Sequence, residues 1–101
     1  MAQQTQIGRH KTRVIEEGDT ITVYYHDTAV VSVTPDKIIL DTGGWWTPTT
    51  KTRMNQTSHQ FNLGYWVSQK NWEWYIQYNG QVIPYVLPTM KLKRTREDKQ
   101  E

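Results

Sequence analysis

Segment 41–53, DTGGWWTPTTKTR, concentrates the side chains of this chain that could bind a ligand. It contains two adjacent glycines, two adjacent tryptophans, five threonines and two cations. Threonine hydroxyls, cationic side chains and the free amides of a helix N-terminus are all groups that bind phosphate. A tryptophan ring exposed beside them could stack on a nucleobase. The composition of the segment therefore predicts a site for a ligand that carries both a phosphate and a base.

A helix must begin inside this segment, because Thr47-Pro48 is typical of an N-cap followed by proline at the first helical position. Lys51 and Arg53 would then lie near the positive end of the helix dipole, which favours them only if an anion binds there. The amides that follow could recognise base edges, although polar residues on a short helix often form its solvated face. The candidate ligand-binding residues are Trp45, Trp46, Thr47, Thr49, Thr50, Lys51, Arg53, Asn55 and Gln56.

The two adjacent tryptophans cannot share one core, because neighbouring side chains of an extended chain point to opposite faces. One of Trp45 and Trp46 is expected to fill the junction between helix and sheet, and the other to lie at the surface or in a cleft. The exposed ring could stack on a ligand, cover a sheet edge or lie in a subunit interface.

The sequence does not predict catalysis. Its three histidines lie in different contexts, and no H-E-x-x-H motif, G-x-S-x-G motif or acid pair is present. His26-Asp27 is a single dipeptide and not a set of metal ligands, and the chain has no cysteine. We therefore expect no catalytic residue, no metal site and no cofactor, whereas an undetected enzyme would require His26 or His59.

The formal net charge of +2 is unevenly distributed. Residues 1–13 carry +3 and residues 91–101 carry +2, whereas residues 14–90 have four cations against seven acids. A mildly acidic body argues against a broad duplex-binding face, because such faces neutralise many phosphates. The basic ends could add only a salt-sensitive attraction to polyanions.

Hydrophobic periodicity predicts the order β-β-β-α-β-β-β. Period-two patterns over 20–26, 29–33 and 37–40 precede the helix over 48–62, and strands over 65–69, 72–78 and 81–86 follow it. Within these, Asn79-Gly80 predicts a hairpin turn, Pro84 an edge strand, and Trp72 with Trp74 a core face. The fold class is α+β: a curved antiparallel sheet or small open barrel of about six strands with one helix packed across it.

One domain is expected over residues 13–89, between a disordered basic leader at 1–12 and a charged, disordered tail at 90–101. Homo-oligomerisation is expected because so short a chain has a small core. No apolar run approaches the roughly 18 residues of a membrane span, and no membrane association is expected.

Segment 24–66 resembles small open reading frames of tailed phages and environmental viruses. The pattern G-G-W-x-T-x-T-T-x-x-R-x-N-Q is matched by Gly43, Gly44, Trp45, Thr47, Thr49, Thr50, Arg53, Asn55 and Gln56. The second tryptophan, at position 46, departs from the pattern. The resemblance implies a viral origin and the host bacterial cytoplasm, and it implies no mechanism.

Two functions remain open. The first is a non-enzymatic phage accessory protein that binds a host nucleotide signal or single-stranded nucleic acid, with counter-defence as a candidate role. The second is a protein–protein interaction module, either an inhibitor of a host protein or a virion accessory, that uses the Trp-rich surface.

Overall fold

The computed structural model describes residues 11–94, which form eight strands and one helix. The elements are β1 (Thr12–Glu17), β2 (Thr20–Tyr25), β3 (Thr28–Val33), β4 (Lys37–Asp41), α1 (Pro48–Phe61), β5 (Tyr65–Lys70), β6 (Glu73–Tyr78), β7 (Gln81–Pro84) and β8 (Thr89–Lys93). The predicted α+β class is confirmed, with eight strands in place of about six. They form two antiparallel sheets and not a closed barrel.

The larger sheet has the strand order β1-β2-β3-β4-β8, and every neighbouring pair is antiparallel. Its two edge strands were missing from the predicted order. β8 corrects the prediction of a disordered tail from residue 90, because it pairs with β4 and buries Leu92. Its lysines alternate with apolar residues, so the charge of the segment hid the period-two pattern. Residues 1–10 and 95–101, which include most of the predicted leader and tail, lie outside the described residues.

The smaller sheet has the order β5-β6-β7, with β7 at its edge as Pro84 predicts. The predicted turn at Asn79-Gly80 is confirmed, with φ of 51° and 77°. Asn71 and Trp72 form a similar turn between β5 and β6, with φ of 53° and 71°. The prediction that Trp72 belongs to the core is therefore wrong: only Trp74 is buried, because the strand begins at Glu73.

α1 begins and ends close to the predicted residues. Thr47 is the N-cap, and its Oγ1 accepts a hydrogen bond from the Thr50 amide at 3.2 Å. Asn62 ends the helix in the left-handed conformation with φ of 56°. The buried residues of α1 include Thr50, Met54 and Thr57. At 14 residues, α1 is too short to span a membrane, and no other helix is present in residues 11–94.

α1 covers the free edge of β5 with two polar side chains. The Asn55 amide donates to the Val67 carbonyl at 2.8 Å and accepts from the Val67 amide at 2.7 Å. Ser58 Oγ makes the equivalent pair of contacts with the backbone of Tyr65, at 2.7 and 3.1 Å. Unpaired strand edges invite aggregation, so these bonds protect the smaller sheet. Asn55 and Ser58 are buried, and the interpretation of the helix's polar residues as a solvated face is wrong for them.

The core lies between the two sheets and the helix. It is a single cluster of buried apolar residues drawn from both sheets: Val23, Val30, Val31, Val33, Ile38, Leu40, Met54, Leu63, Tyr65, Val67, Trp74, Ile76, Tyr85 and Leu92.

Candidate ligand-binding cavity

A cavity of about 360 Å³ lies between the N-terminus of α1 and the β2–β3 hairpin. Its volume is at the small end of the range for small-molecule sites. Two aromatic rings, a histidine, an aspartate, a valine and four threonines surround it. They are Tyr25, His26, Asp27, Thr28, Val30, Thr42, Trp45, Thr47 and Thr50.

One wall of the cavity is the β2–β3 hairpin, whose backbone is irregular there. His26 adopts the left-handed conformation with φ of 58°. The strand register shifts between Val23 and Tyr24, which leaves Val30 as an extra residue of β3. Because of this bulge, Val30 and Val31 are both buried although they are neighbours, and Val30 reaches the cavity. His26 and Asp27 form the two-residue loop of this hairpin, between the end of β2 at Tyr25 and the start of β3 at Thr28.

The opposite wall is the turn that connects β4 to α1. The Trp45 amide donates to the Thr42 carbonyl at 3.0 Å, with Gly43 and Gly44 between them at φ of 64° and 87°. A Cβ at Gly43 would lie 2.7 Å from Thr28 Oγ1, so only glycine allows this approach to the hairpin. The turn places Trp45 at the cavity with 65% of its surface exposed.

Four threonine side chains contribute hydroxyl groups to the lining. Thr47 Oγ1 and Thr50 Oγ1 are hydrogen-bonded to each other at 3.1 Å at the start of α1. Since a hydroxyl has one proton, one of the two donates to the other, and the accepting hydroxyl keeps its proton for an acceptor on a ligand. The amides of the first helical turn contribute fewer free donors to the cavity, because two of them are already hydrogen-bonded. Thr50 N–H donates to Thr47 Oγ1, and Lys51 N–H donates to the Thr47 carbonyl at 3.2 Å.

Arg53 lies one helical turn beyond Thr50 and is only 8% exposed. Its Nε donates to Thr12 Oγ1 at 2.9 Å and its Nη1 to Gln56 Oε1 at 3.2 Å. The guanidinium carbon is 5.6 Å from the ring centroid of Tyr25, a residue of the cavity wall. These contacts within residues 11–94 are all to neutral groups and use two of the five N–H donors. A buried cation usually has an anionic partner, and here a ligand could provide one.

The other predicted site residues are divided among different places. Trp46 packs edge-on against Trp74 at 5.1 Å, and Lys51 Nζ is 5.8 Å from the Trp74 ring centroid, so both belong to a separate aromatic cluster. Asn55 is bonded to β5, and Gln56 accepts from Arg53. Thr49 is half-buried and does not line the cavity.

The structure thus brings together Trp45, Thr47 and Thr50 at the cavity. Arg53 and Gln56 do not line it, and Arg53 is connected to it through its contact with the Tyr25 ring. Tyr25, Thr28 and the rest of the hairpin wall were not among the residues predicted from the sequence. The polar dipeptide at 26–27 was a signal, but its proximity to the helix start depends on long-range packing. Within residues 11–94 no group of three or more histidine, cysteine, aspartate or glutamate side chains could hold a metal ion.

The model of the Kyanoviridae Gp96 protein, a phage protein family, matches residues 1–92. The chain belongs to this family. The match confirms the viral origin that the sequence resemblance implied. No curated protein and no solved structure matches the chain.

Proposed function

We propose that this member of the Gp96 family is a non-enzymatic binding protein whose cavity holds a compact nucleotide. The observation that carries the proposal is the exposed Trp45 ring beside a threonine-lined cavity, close to a buried Arg53 whose described partners are neutral. The nucleobase would occupy the aromatic side of the cavity and the phosphate the side nearer Arg53.

The aromatic side has rings on two walls. Trp45 comes from the β4–α1 turn, whereas Tyr25 and His26 come from the hairpin and lie edge to face with centroids 4.4 Å apart. A base that stacks on an exposed ring gains about 1–3 kcal/mol. Asp27 is the acid of this wall, and its carboxylate could accept hydrogen bonds from ribose hydroxyls or an exocyclic amine.

The phosphate would be bound mainly by hydroxyls and one guanidinium. One hydroxyl of the hydrogen-bonded Thr47–Thr50 pair can donate to it, and Arg53 has three N–H donors that its described contacts do not use. Charge-assisted bonds from arginine to phosphate are about twice as strong as neutral ones. Lys51 was predicted to bind the ligand together with Arg53. Its Nζ lies near the Trp74 ring instead, so Lys51 would not contact the phosphate.

A single nucleotide fits the dimensions better than a long strand. The cavity volume is about 360 Å³, and residues 14–90 are net acidic, which disfavours an extended polyanion. Sequestration of a host nucleotide signal in the bacterial cytoplasm, as a counter-defence, is a role that such a site would serve without catalysis.

Isothermal titration calorimetry with mononucleotides, cyclic dinucleotides and a short single strand tests this proposal. One compact nucleotide is expected to bind saturably at moderate salt. Arg53→Gln is expected to lower the affinity for that nucleotide by about tenfold or more. Lys51→Ala is the matched control, since it removes a cation of the same helix that faces another cluster, and it should change the affinity less than about twofold. Equal losses in both variants, or no binding by any nucleotide, would overturn the proposal.

A further inference from the structure

A second cleft, of about 370 Å³, opens at the end of the smaller sheet where β6 begins and β7 ends. Five of its eight lining residues are aromatic, and we call it the aromatic groove. Its lining is Trp46, Trp72, Glu73, Trp74, Tyr75, Pro84, Tyr85 and Val86. None of these residues lines the cavity described above, so the two surfaces are distinct.

Trp72 is placed in the groove at a conformational cost. It occupies the second position of a turn in which both central residues have positive φ, where glycine is strongly preferred. The corresponding turn between β6 and β7 has glycine, as Asn79-Gly80. Trp72 is also 91% exposed, so its ring contributes little burial to the fold. Strain of this kind at an exposed aromatic residue points to a binding role.

Trp74 lines the inner side of the groove and is only 5% exposed. Its ring lies edge-on to those of Trp46 and Tyr85, at 5.1 and 6.0 Å. Within residues 11–94 its indole N–H makes no hydrogen bond, although a buried indole usually finds an acceptor. A ligand that presents carbonyl oxygens to the groove would supply one.

Glu73 is the one charged residue of the lining. Its Oε1 accepts a hydrogen bond from the Tyr75 hydroxyl at 2.7 Å, which fixes the carboxylate at the groove. The Oε2 atom is left for an incoming cation. The groove therefore combines flat apolar walls with one carboxylate in its lining, and Lys51 Nζ lies 5.8 Å from the ring centroid of Trp74.

We propose that the aromatic groove binds a proline-rich extended segment of a partner protein, with a basic residue beside the prolines. Proline rings pack against tryptophan and tyrosine, and a polyproline II segment keeps its carbonyls free for donors such as an indole N–H. The basic residue would pair with Glu73. A carbohydrate also stacks on tryptophan, but it needs several polar partners, and here the polar groups are limited to Glu73 and the tyrosine hydroxyls.

The test is calorimetric titration with a short synthetic peptide of prolines and one arginine. A peptide with glutamate in place of the arginine and a glycine–serine peptide with the arginine are the comparisons. Trp72→Gly is expected to lower the affinity for the proline–arginine peptide by about tenfold or more. It should leave the thermal midpoint of the protein equal or higher, because glycine relieves the backbone strain. Glu73→Gln should lower the affinity for the proline–arginine peptide and should not lower the affinity for the glutamate-containing peptide.

Trp66→Gln is the matched control, since Trp66 is an exposed tryptophan of the same sheet outside the groove. It is expected to leave the affinity unchanged. Equal affinity for the glycine–serine peptide, full binding by Trp72→Gly, or no binding of either proline peptide would overturn the proposal. Since nucleotide binding involves neither Trp72 nor Glu73, the two proposals can fail independently.

Discussion

At the scale of single residues, two polar side chains of α1, Asn55 and Arg53, have different structural roles. Asn55 completes the hydrogen bonding of a strand edge, whereas Arg53 lies buried near the cavity with neutral partners. The sequence predicted that both would bind a ligand, because residue type and helical spacing say nothing about which strand lies opposite. Their separation follows from what lies opposite each side chain: Val67 of β5 faces Asn55, whereas Thr12 and Tyr25 contact Arg53.

Asn55→Ala is expected to lower the free energy of unfolding by about 2–4 kcal/mol, because the amide and carbonyl of Val67 lose their buried partners. Urea denaturation followed by circular dichroism measures this change. Thr52→Ala, an exposed position of the same helix, is the control and should stay within about 0.5 kcal/mol of the unmodified chain. A neutral Asn55→Ala would contradict the assigned role.

Substitutions of the adjacent residues Trp45 and Trp46 should have different effects on stability and on nucleotide binding. Trp46 packs against Trp74 and Tyr85, so Trp46→Ala should destabilise the fold by about 1–3 kcal/mol. Trp45→Ala removes a largely exposed ring and should leave stability nearly unchanged while weakening nucleotide binding by about tenfold or more. Thermal unfolding and calorimetry together measure both effects. A stable Trp45→Ala variant that still binds nucleotide would contradict the stacking role.

Local signals predicted the elements well wherever a turn or cap has a sequence signature. The helix start at Thr47-Pro48 and the turn at Asn79-Gly80 are examples. The turn at Asn71-Trp72 escaped prediction because tryptophan is not a turn residue, and β8 escaped because its charges resemble a solvated tail. In both cases tertiary contacts outweighed the local preference.

At the scale of the elements, the turn between β4 and α1 requires glycine at position 43 for a reason that does not apply at position 44. Gly43→Ala would push a Cβ against Thr28 in a left-handed backbone, so it should destabilise the fold and distort the cavity wall. Gly44→Ala suffers the backbone strain but meets no atom within 4 Å. Thermal unfolding should show the larger loss for Gly43→Ala. Equal losses would indicate that contact with Thr28 does not limit the turn.

For the whole molecule, two buried tyrosines link stability to alkaline pH. Burial raises the pKa of Tyr65 well above its usual value, and the nearby Tyr85 adds to the shift. Burial also raises the pKa of Tyr85, with a further contribution from the charge of Asp41. Both hydroxyls donate hydrogen bonds to backbone carbonyls, of Met54 and Pro88 respectively.

The folded chain therefore holds these protons when the unfolded chain releases them near pH 10. Their contribution to stability is fully present below that pH, and the free energy of unfolding should fall as pH rises above it. Urea midpoints between about pH 8 and 11 measure the slope, which Tyr85→Phe should reduce. An unchanged slope in Tyr85→Phe would contradict the linkage.

Trp45 lines the cavity and its neighbour Trp46 lines the aromatic groove, so four of the five tryptophans, with Trp72 and Trp74, report on one surface or the other. Each indole N–H gives one peak in a two-dimensional ¹H–¹⁵N spectrum, and Trp66, which lines neither surface, is the internal reference. Titration with the compact nucleotide that binds in calorimetry tests the central claim most directly. A saturable shift of the Trp45 peak, with those of Trp66 and Trp72 unmoved, is the predicted result. Saturation that moves Trp72 and leaves Trp45 unchanged would contradict a nucleotide site in the cavity.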